Sequence, residues 1–180
     1  KPGTKRRRDG KTVFRGHERL GRDMAREIAR KLKLSNDETH ALCGMVFWHL
    51  RPGYLGDFKK VTPRAAFRYF RDTAEEAAST LVLSLADQRA TRGPLTTEAS
   101  RLQHERICSG LIKEFFRRKN AVELPRLLNG DEVMKIFKLQ PSALVGKVLR
   151  HVAELQAIGK IKTKEEAIRA AGKVIKKQGR

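Results

Sequence analysis

The chain has 180 residues, 39% of them hydrophobic, enough for one well-buried domain or a domain with a small appendage. Forty Lys and Arg oppose twenty Asp and Glu, and the formal charge of +20 is far more than solubility requires. That balance favours a polyanion, RNA or DNA, and disfavours a membrane surface, because no helix pairs a Lys-rich face with an exposed Trp/Phe/Leu face.

Residues 1–15 are rich in Gly and Arg and have no helical period; they read as a loop or mobile basic arm with Arg8-Asp9-Gly10-Lys11 as its turn. From Gly16 to Lys33 the recurrence of Leu20, Met24, Ile28 and Leu32 at every fourth position predicts an amphipathic helix. Ser35-Asn36-Asp37-Glu38 has capping-box spacing and opens a helix that should run to Leu50, where Arg51-Pro52-Gly53 stops it. Thr62-Pro63 is an N-cap followed by proline at the first helical position, and it opens a short helix containing Phe67 and Phe70. Thr73-Ala74-Glu75-Glu76 is expected to cap the next helix, which Gly93-Pro94 ends. A longer helix covers Thr97 to Lys119, with Leu102, Ile107, Leu111, Ile112 and Phe115 facing inward.

The stretch 120–130, with Pro125 and the turn pair Asn129-Gly130, is the best domain boundary, dividing a body at 1–120 from a tail at 121–180. In the tail, Asp131 to Phe137, Pro141 to Ile158 and Lys164 to Lys176 read as three helices. Gly159 suits a left-handed helix end and Thr163 to Glu166 a cap. The expectation is an all-α fold, a helical body followed by a small helical tail. Cys43 and Cys108 lie in separate helical patterns without metal-ligand spacing and read as buried free thiols of a reducing compartment. No apolar run is long enough to span a bilayer and the first residues lack a signal-peptide core, so a cytoplasmic location is expected.

Four groups of residues bear on the chemistry. At 100° per residue, Arg19, Arg22, Arg26, Arg30 and Lys33 fall within an arc of about 80° of the first helix's circumference, nearly opposite the Leu20/Ile28 stripe. An ordinary solvated face mixes signs at i and i+4. A row of one sign, roughly 20 Å long, matches a run of phosphates instead. The same rotation centres His17 on the apolar face, and His49 shares a face with Leu42, Met45 and Val46. Asp87 sits in a helix apolar almost all round, so it needs a partner; with His17 and His49 it is a candidate ligand set for one divalent metal, although each alone is more often a satisfied core group. Phe67-Arg68-Tyr69-Phe70-Arg71 and Phe115-Phe116-Arg117-Arg118-Lys119 read as core aromatics with snorkelling cations rather than stacking platforms. Gly146 suits the close approach of a neighbouring helix, and Lys147 has the two readings of an RNA contact and a solvated charge.

Gly16-His17-Glu18 before a Gly21-containing helix, then His49-Leu50-Arg51-Pro52, then Ser84-Leu85-Ala86-Asp87 with Arg89-Ala90-Thr91-Arg92-Gly93, resemble the HD-type domain of bacterial CCA-adding enzymes and poly(A) polymerases. Leu127-Leu128-Asn129-Gly130-Asp131-Glu132-Val133-Met134, Val145-Gly146-Lys147-Val148-Leu149 and the run Gly159 to Ala167 resemble the RNA-binding tail of the same enzymes. The resemblance implies an HD-like helical body and a tail that grip tRNA or another RNA 3′ end through Arg19, Arg22, Arg26, Arg30 and Lys33, with Asn129, Gly130, Asp131 and Lys147 as tail contacts. It also implies a nucleotidyltransferase head, with a Gly-Gly phosphate loop and Mg-binding aspartates, that none of these residues supplies, so this chain alone is expected to be inactive. His17, His49 and Asp87 would be a remnant metal site without its His-Asp pair, suited to Zn, Ni, Co or Mn rather than Mg. The competing readings are an HD-type metal-dependent phosphohydrolase and a helical nucleic-acid-binding protein without an enzymatic role.

Overall fold

A computed structural model describes residues 2–8, 11–55, 60–91, 96–120 and 125–178. It is all-α apart from one short pair of strands, and it divides into two compact units, Lys1–Asn120 and Ala121–Arg180.

In the first unit the basic arm is more ordered than its composition predicts. A 3-10 turn at Pro2–Thr4 precedes β1 (Arg6–Arg8) and β2 (Lys11–Val13), which pair antiparallel with Arg7 opposite Thr12. The predicted turn falls partly on Asp9 and Gly10, outside the described residues.

Helix α1 (His17–Lys31) starts at Gly16, whose φ of 78° is a left-handed conformation that glycine adopts without steric cost, and ends before Lys33 at φ 55°. Its packing corrects the expectation. Leu20, Met24, Ile28 and Leu32 are exposed, at 40, 54, 51 and 67%, whereas Ala25 and Ala29 are buried. The helix docks on α2 through its small residues. At Gly21 a Cβ would stand 3.1 Å from the Val46 side chain, so the backbones approach more closely than the leucine stripe would allow.

Helix α2 (Asn36–Trp48) carries the predicted capping box, with the Ser35 hydroxyl accepting from the Glu38 amide at 3.2 Å and the Glu38 carboxylate accepting from the Ser35 amide at 2.8 Å. It ends at Trp48, and Arg51-Pro52-Gly53 does not stop a helix but begins one, α3 (Arg51–Leu55). Proline near a helix start forfeits only an amide that had no intrahelical partner. Helix α4 (Pro63–Thr73) is capped by Thr62 as expected. Thr73 caps nothing. Its hydroxyl donates to the Tyr69 carbonyl at 2.7 Å, and a 3-10 turn at Ala74–Glu76 leads into α5 (Ala77–Ala90). The expected stop at Gly93-Pro94 lies outside the described residues.

Helix α6 (Glu98–Lys119) is capped by Thr97 and buries Ile107 and Leu111, but Leu102 is 53% exposed, contrary to its expected inward direction. Central α5 packs against α2, α3, α4 and α6. The core joins Ala66, Tyr69, Ala77, Leu81, Ile107, Cys108 and Leu111, with Phe70 and Phe115 against it. Tyr69 is fully buried, its hydroxyl donating to the Ala77 carbonyl at 2.8 Å, and burial raises the phenol pKa. Both cysteines are buried free thiols, and burial pushes Cys108 up to about 12.

The second unit consists of α7 (Gly130–Phe137), α8 (Ala143–Ala157) and α9 (Lys164–Gln178) around an aliphatic core of Leu128, Val133, Val145, Val148, Val152, Ile161, Ala167 and Ala171. Asn129 and Glu132 form a reciprocal capping box, as do Thr163 and Glu166, and Gly159 takes the left-handed φ of 72° expected of it. Gly146 is not a point of close helix approach: an added Cβ would meet only Arg150 Nη1, at 3.8 Å.

Candidate nucleic-acid interface and histidine cluster

Arg19, Arg22, Arg26 and Arg30 are placed as the sequence sets them, since a helix carries side chains at fixed angles whatever face it buries, but Lys33 lies past the helix end at φ 55° and is not held in the row by the helix. Arg19, Arg26, Arg30 and Lys33 are exposed; Arg22 is half-buried, its guanidinium 5.1 Å from the centre of the Phe47 ring. The row is less one-signed than the sequence suggests, because Asp23 bonds Arg22 at 3.0 Å and lies 3.6 Å from Arg26. These pairs are solvent-exposed enough that a phosphate oxygen can replace the carboxylate at small cost. In the tail unit, Asn129, Asp131 and Lys147 are exposed and Gly130 is half-buried. Asn129 Oδ1 is engaged as the cap of α7, which leaves its Nδ2 hydrogens for an acceptor.

His17 at the start of α1 and His49 just past α2 are brought together by the close α1/α2 packing. Their Nε2 atoms are 3.4 Å apart and the rings meet edge to face. Each Nδ1 lies 2.7 Å from the carbonyl three residues earlier, Phe14 for His17 and Val46 for His49. A carbonyl only accepts, so each Nδ1 carries a hydrogen and, in the neutral rings, both Nε2 lone pairs point at one another. That contact is repulsive unless a positive charge lies between them. Asp87 Oδ2 is 4.0 Å from His49 Nε2.

The fit to a metal is incomplete. Two imidazole nitrogens each about 2.0–2.1 Å from a tetrahedral ion stand roughly 3.3–3.4 Å apart, and the histidine pair meets that spacing. Asp87 is further away than a third ligand on the same ion would be. Among the described residues no group of three or more His, Cys, Asp or Glu side chains is arranged to hold a metal.

Beside this cluster lies a polar contact that the sequence reading missed. Ser84 of α5 and His104 of α6, both buried, meet at 3.2 Å from Oγ to Nε2, and with His49, Asp87 and Gln88 they line a cavity of about 220 Å³. Desolvation lowers the His104 pKa, so its neutral form is favoured. The signal was available: His104, Ile107, Cys108 and Leu111 share helical spacing and hence one buried face.

The described residues contain no helix long and apolar enough to cross a membrane. No family model matches the chain and no solved structure is detectably similar. Two curated proteins are similar over 88% of it: the A-adding tRNA nucleotidyltransferase of Deinococcus radiodurans, 32% identical over 162 residues, and the CC-adding tRNA nucleotidyltransferase of Thermus thermophilus, 30% identical over 158. The chain spans about a third of the length of these relatives, 35% and 33% respectively, so what it shares with the tRNA nucleotidyltransferases is a region that includes both of its helical units.

Proposed function

We propose that this chain is the RNA-gripping part, an HD-like body and a tail, of a protein of the tRNA nucleotidyltransferase family, and that it positions tRNA for nucleotide addition at the 3′ end. The observation that carries this reading is similarity across both units to two enzymes whose shared substrate is tRNA and whose added nucleotides differ. A region common to both fits recognition of the shared substrate better than selection of the nucleotide. The charge of +20 and the α1 row support the same reading: Arg19, Arg22, Arg26 and Arg30 neutralise backbone phosphates, while Asn129 and Lys147 offer donors on the tail. Magnesium belongs to the transfer step, which needs a carboxylate pair that these residues do not provide.

The competing phosphohydrolase reading has the histidine pair in its favour and the 4.0 Å between Asp87 and His49 against it. The test is competition at near-physiological salt between a tRNA and an unstructured RNA of equal length. A tRNA preference of tenfold or more is expected. Equal displacement by the unstructured strand would reduce the chain to a non-specific polycation binder and overturn the reading.

A further inference from the structure

On the first unit a cavity of about 530 Å³ opens between α1, α2, the end of α4, the 3-10 turn and α5. Phe47 and Trp48 supply its aromatic wall, Arg22 and Arg26 of the α1 row stand in its lining, and Thr80 also lines it. Thr80 is fully buried and its hydroxyl has no hydrogen-bond partner. A buried hydroxyl that even the carbonyl one turn back does not take is a costly arrangement, removed when a ligand supplies the partner. Ala74 in the same wall holds φ 45° and ψ −127°, a conformation that costs a non-glycine residue energy.

The charges of the lining restrict what enters. Asp37, Asp72, Glu75 and Glu76 face Arg22, Arg26 and His40, an acidic excess in a chain that is strongly basic overall. Asp72 is already paired: burial works to raise its pKa, but hydrogen bonds from Arg71 and Arg51 outweigh this and lower it, so it stays a carboxylate. A phosphate inside the cavity would meet these carboxylates; outside, it would meet the arginine row. Ionised carboxylates only accept hydrogen bonds, so the group that fits inside is neutral, flat enough to lie on aromatic or guanidinium planes, and bears N–H donors. The cavity is also within the size range of small-molecule sites.

We propose that this cavity receives one unstacked, amino-bearing nucleobase of the bound RNA, guanine, adenine or cytosine in preference to uracil, with its phosphate on Arg22 and Arg26. The inference rests on the RNA-gripping reading above and adds to it a point of base contact. The edge donors of the base meet carboxylates of the lining, and Thr80 Oγ1, which has no accessible surface as it stands, gains the partner it lacks as the wall yields to admit the base.

Trp48 is the chain's sole tryptophan and lines the cavity, so it reports occupancy directly. The whole chain is titrated with AMP, CMP, UMP and inorganic phosphate while indole emission is followed, and RNA binding is measured in parallel on filters. Saturable changes are expected with AMP and CMP below about 10 mM. UMP should bind at least threefold more weakly, and phosphate should leave the emission unchanged. Thr80→Val keeps the shape and removes the hydroxyl, and should weaken AMP binding about three- to tenfold, the worth of one hydrogen bond. Glu76→Gln, on the rim, serves as a second variant should the first disturb folding, and should weaken AMP and CMP. No saturable signal, equal affinity for UMP, a response to phosphate alone, or AMP binding unaltered in both variants would each overturn the proposal. If salt-sensitive tRNA binding persists in that event, the cavity assignment alone has failed. Loss of tRNA preference in the unmutated chain would instead sink the reading beneath it.

Discussion

His17 and His49 point their Nε2 atoms at each other across 3.4 Å while each Nδ1 donates to a carbonyl of its own chain segment. Two imidazoles held in this way are a bidentate donor for a soft or borderline cation and a poor one for magnesium. Calorimetric titration should therefore show weak binding of Ni²⁺ or Zn²⁺ and none of Mg²⁺, and His49→Ala should remove the signal. Because Asp87 stands 4.0 Å off, no metal-dependent turnover of p-nitrophenyl phosphate or 2′,3′-cyclic nucleotides is expected. Turnover lost on Asp87→Ala would make the phosphohydrolase reading correct.

The arginine row gives a salt-dependent prediction. Several phosphates neutralised on a structured RNA correspond to a log-log slope of about −3 to −6. Reversing Arg22 and Arg26 together to Glu should weaken tRNA binding at least tenfold at low salt and flatten the slope. Unfolding must be checked by circular dichroism, since Arg22 also covers Phe47. Unchanged affinity in a well-folded double variant removes the row from the interface.

Stability should fall on the acid side in two stages. Desolvation lowers the His104 pKa, so its contribution is complete above the unfolded value near 6.5 and is lost as pH falls through the folded value. Hydrogen bonds from Arg117, opposed by burial and reinforced by Arg118, hold Glu114 down to about 2, so its contribution is present above about 4.5 and is lost between there and about 2. Thermal melts from pH 8 to 3 should show a first decline below neutrality that is absent in His104→Gln, and a second below about pH 4.5 that is smaller in Glu114→Gln, the remainder coming from other carboxylates held low, Asp72 among them.

In the tail, capping and RNA contact are separable. Asn129→Ala removes the cap of α7 and should cost about 0.5–2 kcal/mol of stability. Lys147 is exposed on α8, and Lys147→Ala should leave the melt unchanged while weakening tRNA binding two- to fivefold. Chemical denaturation beside filter binding distinguishes the two, and a Lys147→Ala variant that binds as tightly as the parent removes α8 from the interface.

Incubated with CTP, ATP, Mg²⁺ and a tRNA without its 3′ end, the chain should incorporate no nucleotide. Two-metal transfer requires closely spaced carboxylates beside a phosphate loop. Labelled product from a rigorously purified sample would refute the division of labour proposed above.

Helix starts were the most legible part of the fold. Ser35 with Glu38 and Thr62 with Pro63 are local hydrogen-bonding solutions that need no tertiary information. The buried face of α1 was not legible. Its hydrophobic residues are the exposed ones, and it packs through Gly21, Ala25 and Ala29, small residues that add little to any apolar pattern yet allow the closest approach. His49 could be placed inward from period alone; His17 was placed inward by the leucine stripe, which is exposed, and it meets His49 through the close packing at Gly21 instead. Thr80 and Ser84 could not be read as notable, since an orphaned or paired hydroxyl is a property of its neighbours. The α3 start was misread because Pro ends one helix as readily as it opens another, and only the preceding turn decides.

The contact of Gly21 with Val46 sets more than the spacing of two helices. It lies one turn along α1 from His17 and three residues before His49 on α2, so it works as the fulcrum of a caliper whose jaws are the two imidazoles. A related chain can keep both histidines and still lose their meeting if a bulkier residue occupies the fulcrum. The presence of the motif and the integrity of the pair are then separate questions, and the glycine, which has no chemistry of its own, answers the second.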